Sequence, residues 1–422
     1  MITALRILGV LVLLGIIASG LLFWTSSRDV QIPPASVDFA SLSPSEHDRL
    51  VERGEWVAHA ADCAACHTDP SGGSDLAGGL PMVTPMGAIY GTNITPSRTY
   101  GIGEWDADDL YRAVAMGIAP GGRNLYPAMP YPSYHRITRE DSDALYLWLM
   151  QQPPVDKPNR RNDLIFPFNL RPAVTFWNAL FRPDPEPFVA RDPQNAQGEY
   201  LVDVLGHCGE CHTPRNLAYA LTDDHLAGNV IEGAYAPDLR ADALVRRGWN
   251  RDDLSQFLHR GLSPQGVMTF RMFPVLSHST SHLSFDDLDA ISAYLMPQQP
   301  ETELLARPPA GALSAEGHAL YTGLCAGCHG EDGRGQPHSS VRLDVNTTAM
   351  FDNPINLVRV IAEGIPERDL AHGERMQAMP AFGDMLSDTE MAELVTYLRK
   401  RWGGQSAEVS AAQVADALKQ AH

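Results

Sequence analysis

The sequence predicts a mainly α-helical chain in which three tandem small domains follow an N-terminal transmembrane helix. Three observations predict it. Residues Ile7 to Trp24 run for 18 positions without a charge. One set of local signals then recurs three times in the same order. The six cysteines fall as three C-x-x-C-H motifs, one to each repeat. At roughly 100–200 residues per domain, a chain of 422 residues has room for them.

The first element covers residues 1–30. Met1 to Arg6 is short and slightly basic, and the 18 uncharged residues after it lie at the short end of the roughly 17–25 that cross a bilayer as a helix. Trp24 stands where an interfacial aromatic belongs, and Arg28 and Asp29 close the run. A cleaved signal peptide usually has a shorter apolar core. Its best small-residue site here, Ala18-Ser19-Gly20, would leave Leu-Leu-Phe-Trp at the new terminus. The segment therefore reads as an uncleaved single-pass anchor in the inner (cytoplasmic) membrane, with Arg6 inside and the bulk on the periplasmic side. No cysteine lies near it, which excludes a lipoprotein anchor.

The repeated unit has three parts. A helix leads into the cysteine pair, entered at Gly54-Glu55-Trp56, Gly198-Glu199-Tyr200 and Gly317-His318-Ala319. A mid-domain amphipathic stretch stops at Gly117, Gly261 or Gly364, the position of a helix C-cap. A closing helix runs from Thr138 to Met150, from Ser284 to Met296 and from Ser387 to Arg399. Each closing helix opens on Ser or Thr with an acid three residues on (Asp141, Asp287, Glu390) and carries an aromatic at the same place (Trp148, Tyr294, Tyr397). The units so defined are 46–153, 193–299 and 312–403.

Between them lie proline-rich joints, which cannot continue a helix. The longer, 154–192, contains an apolar stretch from Ile165 to Phe181 that is too short to cross a membrane. It either packs across two domains or meets a partner subunit or the lipid surface. Residues 404–422 read as a tail with weak helical pattern. The formal net charge of −19 excludes a nucleic-acid partner, which requires a basic face.

The motifs are Cys63-Ala-Ala-Cys66-His67, Cys208-Gly-Glu-Cys211-His212 and Cys325-Ala-Gly-Cys328-His329. C-x-x-C-H attaches heme: both sulfurs form thioethers at the ring edge, and the histidine turns under the ring to bind iron. Zinc would need a fourth ligand at each pair, and a thioredoxin-type motif would need a βαβ context. Neither pattern is present in the sequence. Three covalently bound heme c groups are therefore expected, with no disulfide and no free thiol.

A methionine thioether is the expected ligand on the far side of each iron. Met129 stands in Leu125-Tyr-Pro-Ala-Met-Pro130 and Met379 in Gln377-Ala-Met-Pro-Ala-Phe382, and the following proline favours an extended loop. The second unit offers Met268 and Met272. Met272 lies 64 residues after Cys208, against 66 from Cys63 to Met129 and 54 from Cys325 to Met379, and is the one expected. Met82, Met86, Met116, Met350 and Met376 read as core or surface, and His59, His135, His207 and His318 as surface or hydrogen-bonded residues. Arg215 either pairs with a heme propionate or faces solvent. No nucleophile–base pair, GxGxxG strand context or phosphate loop is found, so no catalytic residue is expected.

Whole stretches resemble a known family: Gly91-Thr-Asn-Ile-Thr-Pro96, Gly101-Ile-Gly-Glu-Trp105, Leu125-Tyr-Pro-Ala-Met-Pro-Tyr131, Phe166-Pro-Phe-Asn-Leu-Arg-Pro172, Cys211-His-Thr-Pro-Arg-Asn216, Ala236-Pro-Asp-Leu239 and Ser279-Thr280. The chain resembles the three-heme cytochrome c subunit of membrane-bound alcohol, aldehyde and gluconate dehydrogenase complexes of acetic acid bacteria. The resemblance implies three class I-like cytochrome c domains. It also implies a separate catalytic subunit (molybdenum/iron–sulfur, pyrroloquinoline quinone or flavin type) as electron source and ubiquinone as acceptor. It supports Met272, which precedes Ser279-Thr280 as the family's ligand does, although Phe273 and Pro274 replace the family's small and acidic residues. The anchor tilts the reading toward the aldehyde type. The other class is a free-standing, membrane-anchored carrier feeding a terminal oxidase.

Overall fold

The computed structural model describes Gly20 and residues 30–298, 306–337 and 339–420. The predicted membrane helix, Gly20 apart, lies outside them, and among the described residues no helix is long and apolar enough to cross a membrane. Helices dominate, with short antiparallel hairpins between them. The chain divides into two compact units, one reaching Val189 and including Asn216–Ala220, the other formed by Ala190–Arg215 and the residues from Leu221 on. The second unit holds both the second and third motifs.

In the first unit, helix α1 (Pro44–Ala60) starts at a capping box in which Ser43 and Glu46 each accept from the other's backbone N–H, and Pro44 occupies the first turn, where no N–H is needed. It leads into α2 (Cys63–His67) through Asp62, which is left-handed. Helix α3 (Ala107–Met116) begins at an Asp106/Asp109 box and stops at Gly117 with φ 65°. Helix α4 (Arg139–Met150) is capped by Thr138, which accepts from the Asp141 N–H. Helices α1 and α4 cross at Gly54, where a Cβ would fall 2.7 Å from Trp148 Cβ and closer still to the Ala144 carbonyl oxygen. The aromatic of the closing helix and the glycine of the entering helix thus form one contact. Arg53 ties the crossing by bonding Asp141 at 2.7 Å while lying over Trp56.

The long joint does not leave the first unit as a free spacer. Asp163–Leu164 adds a third strand to the hairpin of Pro81–Thr84 and Gly87–Tyr90. The buried Asn93 donates to the Val155 carbonyl at 2.7 Å, Val155 N–H donates to Thr95, and Ser97 bonds Asp156 at 2.6 Å. Prolines restrain the joint's backbone, and the residues between them supply most of the acceptors for the donors of the loop from Asn93 to Ser97. Helix α5 (Arg171–Phe181) follows.

In the second unit, α6 (Ala196–Glu199) widens over Tyr200–Leu205 into a turn closed by Gly206 N–H on the Leu201 carbonyl at 2.7 Å, and reaches α7 (Gly209–His212). Then come α8 (Arg251–Arg260), ended by Gly261 at φ 78°, α9 (Met272–His278) and α10 (Phe285–Leu295) with its Ser284/Asp287 box. Gly198 meets α10 as Gly54 meets α4: a Cβ there would fall 2.7 Å from Tyr294 Cβ. Helices α11 (Ala315–Leu324), α12 (Ala326–His329), α13 (Ile355–Glu363), α14 (Asp388–Arg401) and α15 (Ala411–Lys419) complete the chain. Gly317 lies 2.6 Å, as Cβ, from Tyr397 Cβ. Helix α15 belongs to the stretch read as a tail, yet its Val414 and Ala417 are buried in the core of Tyr321, Val358, Leu394 and Trp402. Its signal was the Ser410/Gln413 capping box rather than apolar periodicity, because alanines carry little of it.

The residues read as second and third domains share a further core, Met268 and Leu276 with Ile365, Leu370 and Met376. Asn356 reinforces it by accepting from Tyr235 N–H and donating to the Tyr235 carbonyl, each at 2.8 Å, as a strand neighbour would.

Asp203 joins α6's extension to α10. It accepts from Tyr294 Oη at 2.7 Å and from His225 at 2.9 Å and pairs with Arg191. Burial pushes its carboxyl up, but the bonds from His225 and Tyr294 and the Arg191 charge outweigh that and hold it below the usual range. A depressed pKa stabilises the fold above the unfolded value of about 3.9 and ceases to as pH falls through the lower folded value. The Asp203→Asn variant should therefore be less stable at neutral pH and show a shallower loss of thermal stability below about pH 4. Parallel acid limbs for variant and parent would remove this assignment.

Candidate functional site

Each motif occupies a short helical turn, so cysteines three apart project from one side and the histidine follows one residue later. No two of the six cysteines are joined in a disulfide. Burial pushes the Cys63 thiol up to about 12 and those of Cys211 and Cys325 up to about 11.

The histidines are held alike. His67 Nδ1 lies 2.6 Å from the Thr92 carbonyl oxygen, His212 Nδ1 2.7 Å from that of Pro237, and His329 Nδ1 2.9 Å from that of Val341. A carbonyl only accepts, so each Nδ1 carries the proton and each Nε2 keeps its lone pair. Burial favours the neutral ring in all three, taking His212 down to about 4. Thr92 and Pro237 fall in two of the stretches that carry the family resemblance, and orienting a ring accounts for both.

A second device recurs that sequence reading missed. The carbonyl of each motif histidine accepts from a glycine N–H: Gly78 on His67 at 2.6 Å, Gly228 on His212 at 2.7 Å and Gly335 on His329 at 2.8 Å. All three glycines have positive φ, 73°, 86° and 66°. That conformation suits glycine and strains other residues. Their distances from the histidines differ in every unit, so no spacing announced them.

The candidate methionines sit on different supports. Met129 lies in a tight turn, with Met129 N–H on the Tyr126 carbonyl and Tyr131 N–H on the Met129 carbonyl. Met379 exchanges two backbone bonds with Ile365, at 2.8 and 2.9 Å, beside the helix-ending Gly364. Met272 opens α9, so its backbone is helical where Met129 and Met379 precede proline in loops. Met268 is 1% exposed and enclosed in the shared core, whereas Met272 is only partly buried at its edge. The segment around Met272 is braced by α13 and the residues after it: Arg359 lies 4.6 Å over Phe270, and Arg368 lies 3.9 Å over Phe273.

Arg215 does not simply face solvent. It is half-buried and ion-paired with Glu210 at 2.8 Å, between the two cysteines of the second motif. His135 and His318 are hydrogen-bonded, to the Pro132 carbonyl and Tyr397 Oη.

These residues fit a covalently held heme. The protonated Nδ1 leaves each Nε2 free to bind iron, and the paired sulfurs stand one helical turn apart. Among the described residues no three His, Cys, Asp or Glu gather as a metal cage. The motif side chains therefore do not converge as a zinc site requires.

Residues 314–402 match the cytochrome c family. The chain is 38% identical to the cytochrome c subunit of gluconate 2-dehydrogenase from Pantoea cypripedii, over 91% of this chain and 93% of that one. It is 38% identical to the cytochrome c subunit of alcohol dehydrogenase (quinone) from Gluconacetobacter polyoxogenes, over 88% and 85%. It is 42% identical to a nicotinate dehydrogenase chain of Pseudomonas putida over 84% of its own length, spanning 30% of that longer protein. Relatives matched nearly end to end share their architecture with this chain, and a cytochrome c domain carries heme c bound through its cysteines. The chain belongs to the family of cytochrome c subunits of dehydrogenase complexes.

Proposed function

We propose that this chain is the electron-transfer subunit that relays electrons from a periplasmic dehydrogenase catalytic subunit, acting on an aldehyde or alcohol, through three c-type hemes to membrane ubiquinone. The observation that carries it is the threefold recurrence of one device: a cysteine pair on a helical turn, a histidine with its Nδ1 proton on a carbonyl, and a glycine amide on the histidine carbonyl. Cys63, Cys66 and His67, Cys208, Cys211 and His212, and Cys325, Cys328 and His329 are the proposed attachment sets, with Met129, Met272 and Met379 as the far ligands. When bound, heme supplies a one-electron couple whose potential the axial ligand and its burial set.

The protein's own work is to hold these donors rigidly and to keep water from them. The relatives named above are cytochrome subunits of gluconate and alcohol dehydrogenases, which supports a separate catalytic partner. The partial match to a much longer nicotinate dehydrogenase chain fits the same pairing made within one polypeptide. The anchor at residues 7–24 and a periplasmic position belong to this proposal.

Gentle extraction from the membrane, followed by quinone reduction assays with ethanol, acetaldehyde and gluconate, tests it. A copurifying partner with activity on one substrate is expected. A three-heme chain that comes alone and reduces no quinone would overturn it in favour of the free carrier.

The ligand assignment has its own test. Leu cannot ligate, and a Met ligand raises the potential. Met379→Leu should keep the heme content, lower one midpoint potential and alter the spectrum, and an unchanged redox titration would remove Met379 from the set.

A further inference from the structure

Helix α5 carries apolar residues on two sides. Val174, Thr175 and Asn178 are buried, Trp177 meets Tyr131 edge-on at 6.4 Å, and hydrogen bonds fasten the same side. Asn178 accepts from Tyr131 Oη at 2.6 Å and donates to Asn124 at 3.0 Å, and Asn124 donates to Thr175 at 3.0 Å. Phe176 and Leu180, one turn apart, face outward at 36% and 62% exposure. The chain entering the helix continues this apolar face, with Ile165 59%, Phe166 76% and Leu170 49% exposed. A surface helix of a globular domain normally presents polar residues on this outer side. An exposed apolar face of this kind marks an interaction site.

The charge of the segment indicates what covers it. Arg160, Arg161 and Arg171 are exposed beside this face in a chain of net charge −19, whereas Lys157 pairs with Asp69 at 3.2 Å and Arg182 is half-buried. A basic rim around an aromatic and aliphatic face suits the boundary of an anionic bilayer. The tether points the same way. Arg139, at the start of α4, donates to the Pro33 carbonyl at 3.0 Å, and Ser36 bonds Asp143 at 2.8 Å. The strand leaving α5 is bound three residues earlier, with Arg136 on the Val189 carbonyl at 2.6 Å and Glu186 N–H on that of His135 at 3.0 Å. From Trp24 to Pro33 a chain extends at most roughly 30 Å. A membrane segment ending at Trp24 therefore holds this end of the first unit close to lipid.

We propose that the outward face of Ile165–Leu180 seats the first unit on an anionic phospholipid surface. This rests on the membrane position in the proposed function and adds the surface that makes the contact. Because α5 packs on Asn124 and Tyr131, the seat brings the Met129 loop to the lipid boundary.

The test uses the full-length heme-loaded chain, reconstituted into phosphatidylethanolamine/phosphatidylglycerol vesicles. A nitroxide is attached at Leu180→Cys, or at the exposed Glu52→Cys as reference, and flotation establishes vesicle binding. The 180 label should relax more with oxygen than with a water-soluble nickel chelate, and the 52 label the reverse. A floating chain whose 180 label responds to nickel like the 52 label overturns the seat while leaving the anchor intact. A 180 label shielded from both relaxants also overturns it, in favour of a second copy on this face. A chain that does not float overturns seat and membrane position together.

Discussion

Replacing Gly54 by valine should unfold the first unit. A Cβ at this position falls 2.7 Å from both the Ala144 carbonyl carbon and Trp148 Cβ, with the Ala144 oxygen nearer still. Two of the three obstacles are backbone, so no rotamer change relieves them, and α1 must move off α4. Overpacking a core costs about 1–3 kcal/mol where side chains yield. Where helix backbones must separate, the loss belongs at the top of that range or beyond it, a large share of the roughly 5–15 kcal/mol that stabilises a domain. The contact also positions the site, because α1 delivers Cys63 and α4 follows the Met129 loop. Thermal unfolding should therefore show a first transition about 10 °C or more early, with reduced heme at this unit. Gly323→Ala is the matched control: this glycine is also helical, but a Cβ there meets nothing within 4 Å. It should be neutral or stabilising by about 0.5–1 kcal/mol. Equal melting curves for Gly54→Val and the parent would show that the helices do not cross at this point.

The double variant Cys325→Ala, Cys328→Ala should mature with two hemes in place of three. Once the thioether bonds are removed, only the axial ligands retain the heme. Of these, Met379 is only partly buried, at the edge of two cores. A pyridine hemochrome assay against chain concentration reads the ratio directly. The first two motifs should be unaffected in spectrum, since their own cysteines and histidines are untouched. Retention of all three hemes would mean that the third motif is not an attachment site.

Much of this was legible in the sequence. Thr138, Ser284 and Ser387 cap their helices as expected, and Gly117, Gly261 and Gly364 end theirs with positive φ. The recurrent Gly54, Gly198 and Gly317 and the recurrent Trp148, Tyr294 and Tyr397 proved to be two halves of one contact. The cysteine motifs were legible for the same reason. Caps, helical faces and C-x-x-C-H are set by residues within one or two turns of each other, so their chemistry is written at fixed spacing.

What the sequence by itself determined is therefore the caps and stops of the recurring helices and the three C-x-x-C-H turns. Only tertiary structure decided which carbonyl orients each histidine, which glycine amide holds it, and that Arg215 pairs with Glu210. It also joined Met268 and Leu276 to Ile365, Leu370 and Met376 in one core, folded α15 into another, and left Phe176 and Leu180 of α5 facing outward. The physical reason is loop length. Thr92 lies 25 residues beyond His67 and Val341 only 12 beyond His329, yet both carbonyls reach the same ring nitrogen. Closure entropy grows only slowly with loop length, so loops of different length satisfy the same bond, and no constant spacing remains to be read.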